Sequence, residues 1–223
     1  MVDFSTWLGR DTDNVRKALQ TAVLVAPDTT AALTKIGLFS ATTGVLATLP
    51  TGYKDLGWLS DGGTKVTRAT KVSEIMADGA GQAIRTDTVS DISTLAVICD
   101  ETNNTSMAVW HGWALNAFAT TPDAGGSLFN PKPELPPTIY YKVIEISMDE
   151  DEGGQYLYGR YFPKMAVTAR DVQTFQSSAA NPIQFGMTLT SYFDSDEATS
   201  EVPFIGGAGW LANLAAAGFT AGA

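Results

Sequence analysis

The sequence predicts a mainly β fold: an antiparallel β-sandwich or barrel with one short internal α-helix and extended N- and C-terminal arms. Residues 183–193 alternate apolar side chains with polar or small ones, which is the period of a strand with one buried face. Asp61-Gly62-Gly63 lies between two β-rich runs, where glycine accepts the positive φ of a hairpin turn. Residues 138–148 carry apolar groups on both faces, which is unusual at the surface of a soluble monomer. This last feature predicts a subunit that is completed by its neighbours.

Size, composition and charge limit the class of protein. The chain has 223 residues, 44% hydrophobic and 17% charged, which is enough to bury a core within one domain. Fourteen basic and 24 acidic residues give a net charge of −10, which disfavours a surface that grips phosphates. No apolar run reaches the ~20 residues that span a bilayer, and the N-terminus lacks the pattern of a secretory signal. We therefore expect folding in a cytoplasm and no membrane partner.

Residues 1–20 are predicted to form an N-terminal arm followed by a short helix. Residues 11–13 can cap this helix, and three apolar residues at helical spacing share one of its faces. The arm carries large apolar groups with too little local sequence to bury them, so it packs on the body or on a neighbouring chain. The apolar residues of the helix are Val15, Ala18 and Leu19, and those of the arm are Phe4, Trp7 and Leu8.

Residues 21–205 are predicted to form the β-domain. A first strand covers 21–26, and the stretch 29–51 has no strong periodicity, so it is predicted to be a long loop with one candidate strand at 36–40. A loop of this length is usually functional or becomes ordered against a partner. Beyond the turns at 60–63 and 78–81, residues 82–101 contain neither Gly nor Pro and can hold two strands or one long bent strand.

The internal helix is predicted from its capping residues. Thr102, Asn103 and Asn104 can each accept hydrogen bonds from exposed backbone N–H groups ahead of residues 107–110. Gly112 follows at once, so the helix must be short.

Prolines and glycines divide the second half of the chain. Residues 117–137 contain five prolines and a glycine pair, which predicts an extended crossover before the strand at 138–148. The acidic turn at 149–154 leads into a strand at 155–162, which Pro163 is expected to break or bend. Residues 206–223 are predicted to be a tail with a glycine hinge, which docks on another surface through Trp210, Leu211 and Leu214.

No residue pattern indicates catalysis, a cofactor or a metal site, so we expect a protein that is not an enzyme. His111 is the only histidine, and at a helix end between Trp110 and Gly112 it is expected to cap or pack. Cys99 is the only cysteine and lies in an apolar strand pattern, which indicates core packing. The acidic residues 149–152 lack the alternating oxygen ligands of a calcium loop.

The order of these elements resembles that of a known family. A glycine-rich approach to Gly57-Trp58-Leu59 is followed by a long Thr/Val-rich strand pair that ends in residues 99–103, and then by a short helix with an aromatic end. With the apolar strand at 22–27, this order is similar to that of the major tail tube protein of long-tailed bacteriophages over residues 20–195.

The resemblance implies a structural virion protein. Hexameric rings would join adjacent sheets into one inner barrel, and stacked rings would form the tube through which the genome enters the host. Expected partners are further copies of the chain and other tail proteins: the tape measure, the tail terminator and the tail tip. The protein would be assembled in the host cytoplasm. DNA would pass without specific binding because carboxylates on the wall repel phosphates.

Two groups of residues are candidates for the surfaces of such an assembly. The bore-facing candidates are polar residues of the strand at 183–193: Gln184, Thr188 and Thr190. The candidates for contacts between subunits are apolar residues of the arm, the approach to the first turn and the tail: Phe4, Trp7, Leu8, Tyr53, Trp58, Trp210, Leu211 and Leu214.

The alternative is another β-rich phage structural or carbohydrate-binding module, such as a decoration, tail-spike-base or tail-tip protein. Exposed aromatic platforms on a protein that stays monomeric would favour that class.

Overall fold

The computed structural model describes residues 12–33, 37–40, 43–115, 130–177 and 182–219. Within these ranges the chain is mainly antiparallel β-structure with two short α-helices, which confirms the predicted fold class and adds one helix to it. A single 3₁₀ turn covers Thr12–Asn14. The elements are β1 (Gln20–Pro27), β2 (Lys54–Asp55), β3 (Lys65–Ile75), β4 (Arg85–Cys99), α1 (Asn104–His111), β5 (Tyr141–Asp151), β6 (Gly154–Arg170), β7 (Phe185–Ser191), β8 (Val202–Gly206) and α2 (Ala208–Asn213).

The strands follow the order β2-β1-β5-β6-β7-β4-β3, and every pair is antiparallel. Strand β6 is long enough to belong to two layers. Its first half, 157–161, pairs with β8, whereas its second half, 165–170, pairs with β7. One layer is therefore β2-β1-β5-β6-β8, the other is β6-β7-β4-β3, and the core lies between them.

Alternate residues of both layers fill this core. Val23 and Val25 of β1 enter it from one layer, and residues of β4 and β7 enter it from the other. Full burial of one such side chain stabilises the fold by roughly 1.5–3 kcal/mol. The residues from β4 and β7 are Leu95, Val97, Cys99, Phe185, Met187 and Leu189.

Helix α1 begins and ends as the sequence predicts. The Asn103 side chain accepts a hydrogen bond from the Ser106 backbone N–H at 2.8 Å, and Ser106 Oγ accepts one from the Asn103 N–H at 3.2 Å. Gly112 ends the helix in the left-handed region at φ 72°. Trp110 Nε1 donates to the Gly186 carbonyl at 3.1 Å, which fixes the helix on β7.

The predicted hairpins are also present. Gly63 adopts φ 62° in the first turn and Gly79 adopts φ 76° in the second, as the turns require. Residues 82–101 hold one strand, β4, which pairs with β3 along its length and has a register shift at Lys71/Val72.

The second face of β5 is buried within the chain at Ile144, where a neighbouring subunit was expected to cover it. Leu38 is buried, and Phe39 packs edge-on against Phe204 of β8 with ring centroids 5.8 Å apart. The candidate strand at 36–40 is reduced to an isolated bridge between Phe39 and Leu46, and residues 34–36 lie outside the described residues. Part of the long predicted loop therefore packs on β8 of its own sheet.

Of the two alternatives predicted for Pro163, a break and a bend, the structure has the bend, and one further prediction is corrected. Strand β6 continues past Pro163 with a register shift: Val143 pairs with Phe162 and Tyr141 with Met165. The extra residue of this bulge accommodates a proline that cannot donate to the ladder. The predicted helix at 15–19 is absent. Instead, the Leu19 N–H donates to the Met148 carbonyl at 2.8 Å, which extends the pairing of β1 with β5.

Candidate assembly surfaces

The layer β6-β7-β4-β3 has two open edges. Within the described residues, no strand pairs with the outer edge of β3, which is eleven residues long. At the opposite edge, the pairing of β5 with β6 ends at Met165. Among the described residues, 166–170 of β6 therefore pair only with β7. Because the layer has four antiparallel strands, the strands at its two edges run in opposite directions.

The β3-β4 hairpin extends beyond the core. Nearly every residue of β3 is exposed, as is the first half of β4. A soluble protein rarely keeps so many apolar side chains in water on one element unless they contact a partner. The exposed apolar residues here are Val72, Ile75, Met76, Ile84, Val89 and Ile92.

Thr188 and Thr190 lie on the outer face of this layer, opposite the core. They pair with Ala96 and Thr94 of β4, and Thr190 Oγ1 lies 2.8 Å from Thr168 Oγ1. Both are half-buried. Just before β7, the Gln184 side chain donates to Asp100 Oδ1 at 2.9 Å.

The same face carries basic residues at its edge. Lys65 and Lys71 of β3 pair with Ala96 and Ser90, which places both lysines on the face of Thr188. Asp171 lies over Gly186 at the opposite edge of this face.

Two carboxylates lie instead beside a polar cavity of about 140 Å³. Asp91, which pairs with Arg68, and Glu201, whose Oε1 lies 3.1 Å from Arg160 Nε, line this cavity together with Ser93. Hydrogen bonding from the Arg68 guanidinium holds the pKa of Asp91 below its usual range. These acids are therefore paired with arginines and do not line the outer face.

A buried ion pair closes the outer face of the other layer. Lys142 Nζ contacts Glu197 Oε1, and the Tyr161 hydroxyl donates to the same oxygen at 2.7 Å. Burial, followed by this hydrogen bond, raises the pKa of Tyr161. Tyr53 is half-buried and its hydroxyl is withdrawn from water, which raises its pKa to about 12. Tyr53 thus packs on its own chain, and its predicted contact with a neighbour stays a prediction.

The remaining predicted contact residues differ in exposure. Trp58 is 79% exposed, and its backbone N–H donates to Glu101 Oε2 at 3.0 Å. Leu211 is 44% exposed, whereas Trp210 and Leu214 are half-buried. The three candidates in the N-terminal arm, Phe4, Trp7 and Leu8, lie outside the described residues.

The start of the predicted tail packs on its own body. Gly206 and Gly207 are buried, and a Cβ at Gly209 would approach Tyr156 Cε2 to 2.5 Å. The Asn213 side chain hydrogen-bonds the Tyr156 hydroxyl. The glycines therefore allow α2 to lie close against β6, and the predicted hinge at this position is wrong.

The residues considered for catalysis are packed. His111 stacks on Trp113 with ring centroids 4.2 Å apart, and burial lowers its pKa. Burial raises the pKa of the Cys99 thiol to about 12, so it is not a nucleophile at neutral pH. Among the described residues, no His/Cys/Asp/Glu group is placed to hold a metal ion, and no helix could span a membrane.

The phage tail tube protein family matches residues 8–206 of the chain. The chain belongs to this family. The tail tube protein is thus a structural component of a phage tail and of the virion, which confirms the sequence-based resemblance. It assembles with other components of that tail. No match to a curated protein was found.

The solved structures that are similar to the tail tube protein include a cryo-EM structure of the anti-feeding prophage (AFP) baseplate, six-fold symmetrised. The chains are 11% identical with a TM-score of 0.39, over 86% of this chain and 96% of the other. A TM-score this low does not establish a common fold, and the family assignment does not depend on it.

Proposed function

We propose that this tail tube protein assembles head to tail into hexameric rings, and that stacked rings form the conduit through which the genome leaves the virion. The two open, oppositely directed edges of the layer β6-β7-β4-β3 carry this proposal. An open edge presents unpaired N–H and C=O groups, and a neighbouring copy of the chain can satisfy them.

The even number of strands makes such pairing repeatable. When β3 of one copy lies beside 166–170 of the next, the new pair is antiparallel like every other pair in the layer. The contact joins two different surfaces, so it generates either a closed ring or an open helix, depending on the rotation between copies. β-sheets twist with a fixed hand, and we propose that this twist closes the ring.

Charge supports the same junction. Lys65 lies on the β3 edge, and Asp171 lies near the β6 edge on the same face. Cross-strand pairs connect the two edges: Ala169 pairs with Thr188, Thr188 with Ala96, and Ala96 with Lys65. Because Asp171 follows Ala169 by two residues, Asp171 and Lys65 lie near the same end of the sheet. Opposite charges on the two edges favour head-to-tail pairing over pairing of identical edges.

The outer face of this layer, with Thr188 and Thr190, is our proposal for the wall of the bore. Hydroxyl groups and small side chains can line a channel without the dense positive charge that holds phosphates. DNA would then pass without specific binding, although few wall carboxylates repel it. The tape measure, the tail terminator and the tail tip are the proposed partners at the ends of the tube, and assembly takes place in the host cytoplasm.

Negative-stain microscopy of the purified protein at increasing concentration tests this function. We expect rings and hollow rods whose wall is one subunit thick. Particles that remain monomeric at high concentration would instead indicate a decoration, tail-tip or carbohydrate-binding module.

A further inference from the structure

A groove of about 240 Å³ lies where the described chain begins and ends. Tyr156 and Ile205 line it from the body, and Trp210 and Phe219 line it from the C-terminal segment. Asn14 and Arg16 form the rim next to the N-terminal arm. Both ends of the described chain therefore contribute to one mainly apolar depression.

The walls of the groove are held in place. The Arg16 guanidinium lies 3.4 Å from the centroid of the Tyr156 ring and is ion-paired with Asp151. The Trp210 and Phe219 rings meet edge to face at 5.1 Å. Phe219 is nevertheless 55% exposed and Ile205 37% exposed, so the groove presents apolar surface to water.

The chain itself supplies a segment of matching chemistry. Eleven residues precede Thr12, and three of them are the large apolar residues Phe4, Trp7 and Leu8. Their i, i+3, i+4 spacing would place them on one face of a helical turn. A short apolar helix face in an aromatic groove is a common mode of peptide recognition. We infer that the groove binds the N-terminal arm of an adjacent copy.

The described start of the chain lies at the groove. The Lys17 N–H donates to Asp149 Oδ2 at 3.0 Å and Arg16 pairs with Asp151, so these residues contact the end of the β5-β6 hairpin. The arm therefore joins the described chain at the rim of the groove, where Asn14 lies. Copies in a ring are oriented alike, so the neighbour's groove lies at the same end. The inference therefore rests on the proposed ring.

Disulfide trapping tests the inference. A Ser5→Cys/Ala217→Cys variant keeps the three anchors, and Cys99 is buried and does not interfere. Oxidation of the assembled protein is expected to give a ladder of covalent oligomers on a non-reducing gel. A matched Ser5→Cys/Glu134→Cys variant places the second thiol at an exposed position outside the groove, and should give less than a tenth of that product.

The result also separates this inference from the proposed function. Crosslinks confined to single chains, or no crosslink, would overturn the groove contact between copies. Rods that form in microscopy without such a ladder would leave the tube intact and refute only the groove. As a second measurement, Trp7→Ala should reduce the ladder at least fivefold, and an unchanged ladder would contradict a role of the arm as anchor.

Discussion

Lys142 of β5 and Glu197, in the loop after β7, form an ion pair that is almost completely withdrawn from water. Their side chains are only 6% and 11% exposed. The Tyr161 hydroxyl and Lys142 share Glu197 Oε1, and Asp194 Oδ1 accepts the backbone N–H of Glu197 at 2.9 Å. The pair therefore ties the 194–199 loop to the outer face of the sheet.

Removal of one charge should destabilise the fold. In Lys142→Met, Glu197 stays buried without its cation, and we expect the free energy of unfolding in urea to fall by about 3–5 kcal/mol. A Lys142→Met/Glu197→Leu variant should lose less unfolding free energy than Lys142→Met, because no unpaired charge stays buried. The control is Arg85→Ala, which breaks the exposed Arg85–Asp87 pair and should change stability by less than about 1 kcal/mol. Equal losses for Lys142→Met and Arg85→Ala would contradict the structural role of the buried pair.

The cap of α1 gives a second prediction. Asn103→Ala removes the acceptor of the Ser106 N–H and the donor to the Leu56 carbonyl, so we expect a loss of about 1–2 kcal/mol in thermal or urea unfolding. Thr102→Ala changes an exposed neighbour and should remain within about 0.5 kcal/mol of the original protein. An Asn103 variant as stable as the Thr102 variant would show that this cap does not stabilise the helix.

Local signals explain why the hairpins and α1 could be predicted from the sequence. A turn with positive φ at Gly63, and a helix between Asn103 and Gly112, depend on a few adjacent residues. The alternation of apolar and polar residues in β7 likewise predicted that Thr188 lies on the polar face of this strand.

Features that depend on distant parts of the chain were missed. The segment around Phe39, which packs on β8, has no periodicity of its own, and helix α2 is too short and glycine-rich to be distinguished from a hinge. Pro163 is tolerated only because a bulge lies opposite Lys142. The basic edge of the outer face could not be foreseen, since it depends on the register that pairs Lys65 with Ala96.

Close contact between α2 and β6 gives a third prediction. A Cβ at Gly209 would come within 2.7 Å of the Gly154 carbonyl oxygen, so Gly209→Ala must displace the helix and should destabilise the protein by about 1–3 kcal/mol. At Gly62 an added Cβ meets nothing within 4 Å, so Gly62→Ala should be neutral or slightly stabilising. If urea unfolding gives the same stability for both variants, α2 is not packed on β6 in solution.

The Cys99 thiol provides a fourth prediction, based on pH. Its pKa is raised to about 12 by burial, whereas an unfolded thiol titrates near ~8.5. Its contribution to stability is therefore complete below about pH 8.5 and is lost as the pH rises towards 12. At pH 8 the folded protein should not react with a thiol reagent over hours, while the protein in urea should react within minutes. Rapid labelling of the folded protein would contradict the burial of Cys99.

The exposed apolar hairpin gives a fifth prediction. Val72→Asp/Ile75→Asp places two charges on a surface that we propose to be buried on assembly, so rods should be lost while monomer stability changes by less than about 1 kcal/mol. Leu135→Asp alters an apolar residue that is 88% exposed and lies outside the strands, and it should leave assembly intact. Normal rods from the double variant, seen by electron microscopy, would exclude the hairpin from the contacts between copies.

A cryo-EM reconstruction of the assembled protein tests the ring most directly, because it resolves which strands meet between copies. We expect β3 of each copy to pair antiparallel with 166–170 of the next, with Thr188 and Thr190 facing the bore. A ring in which the β3 edge stays in solvent, or a protein that forms only solitary particles, would contradict the account.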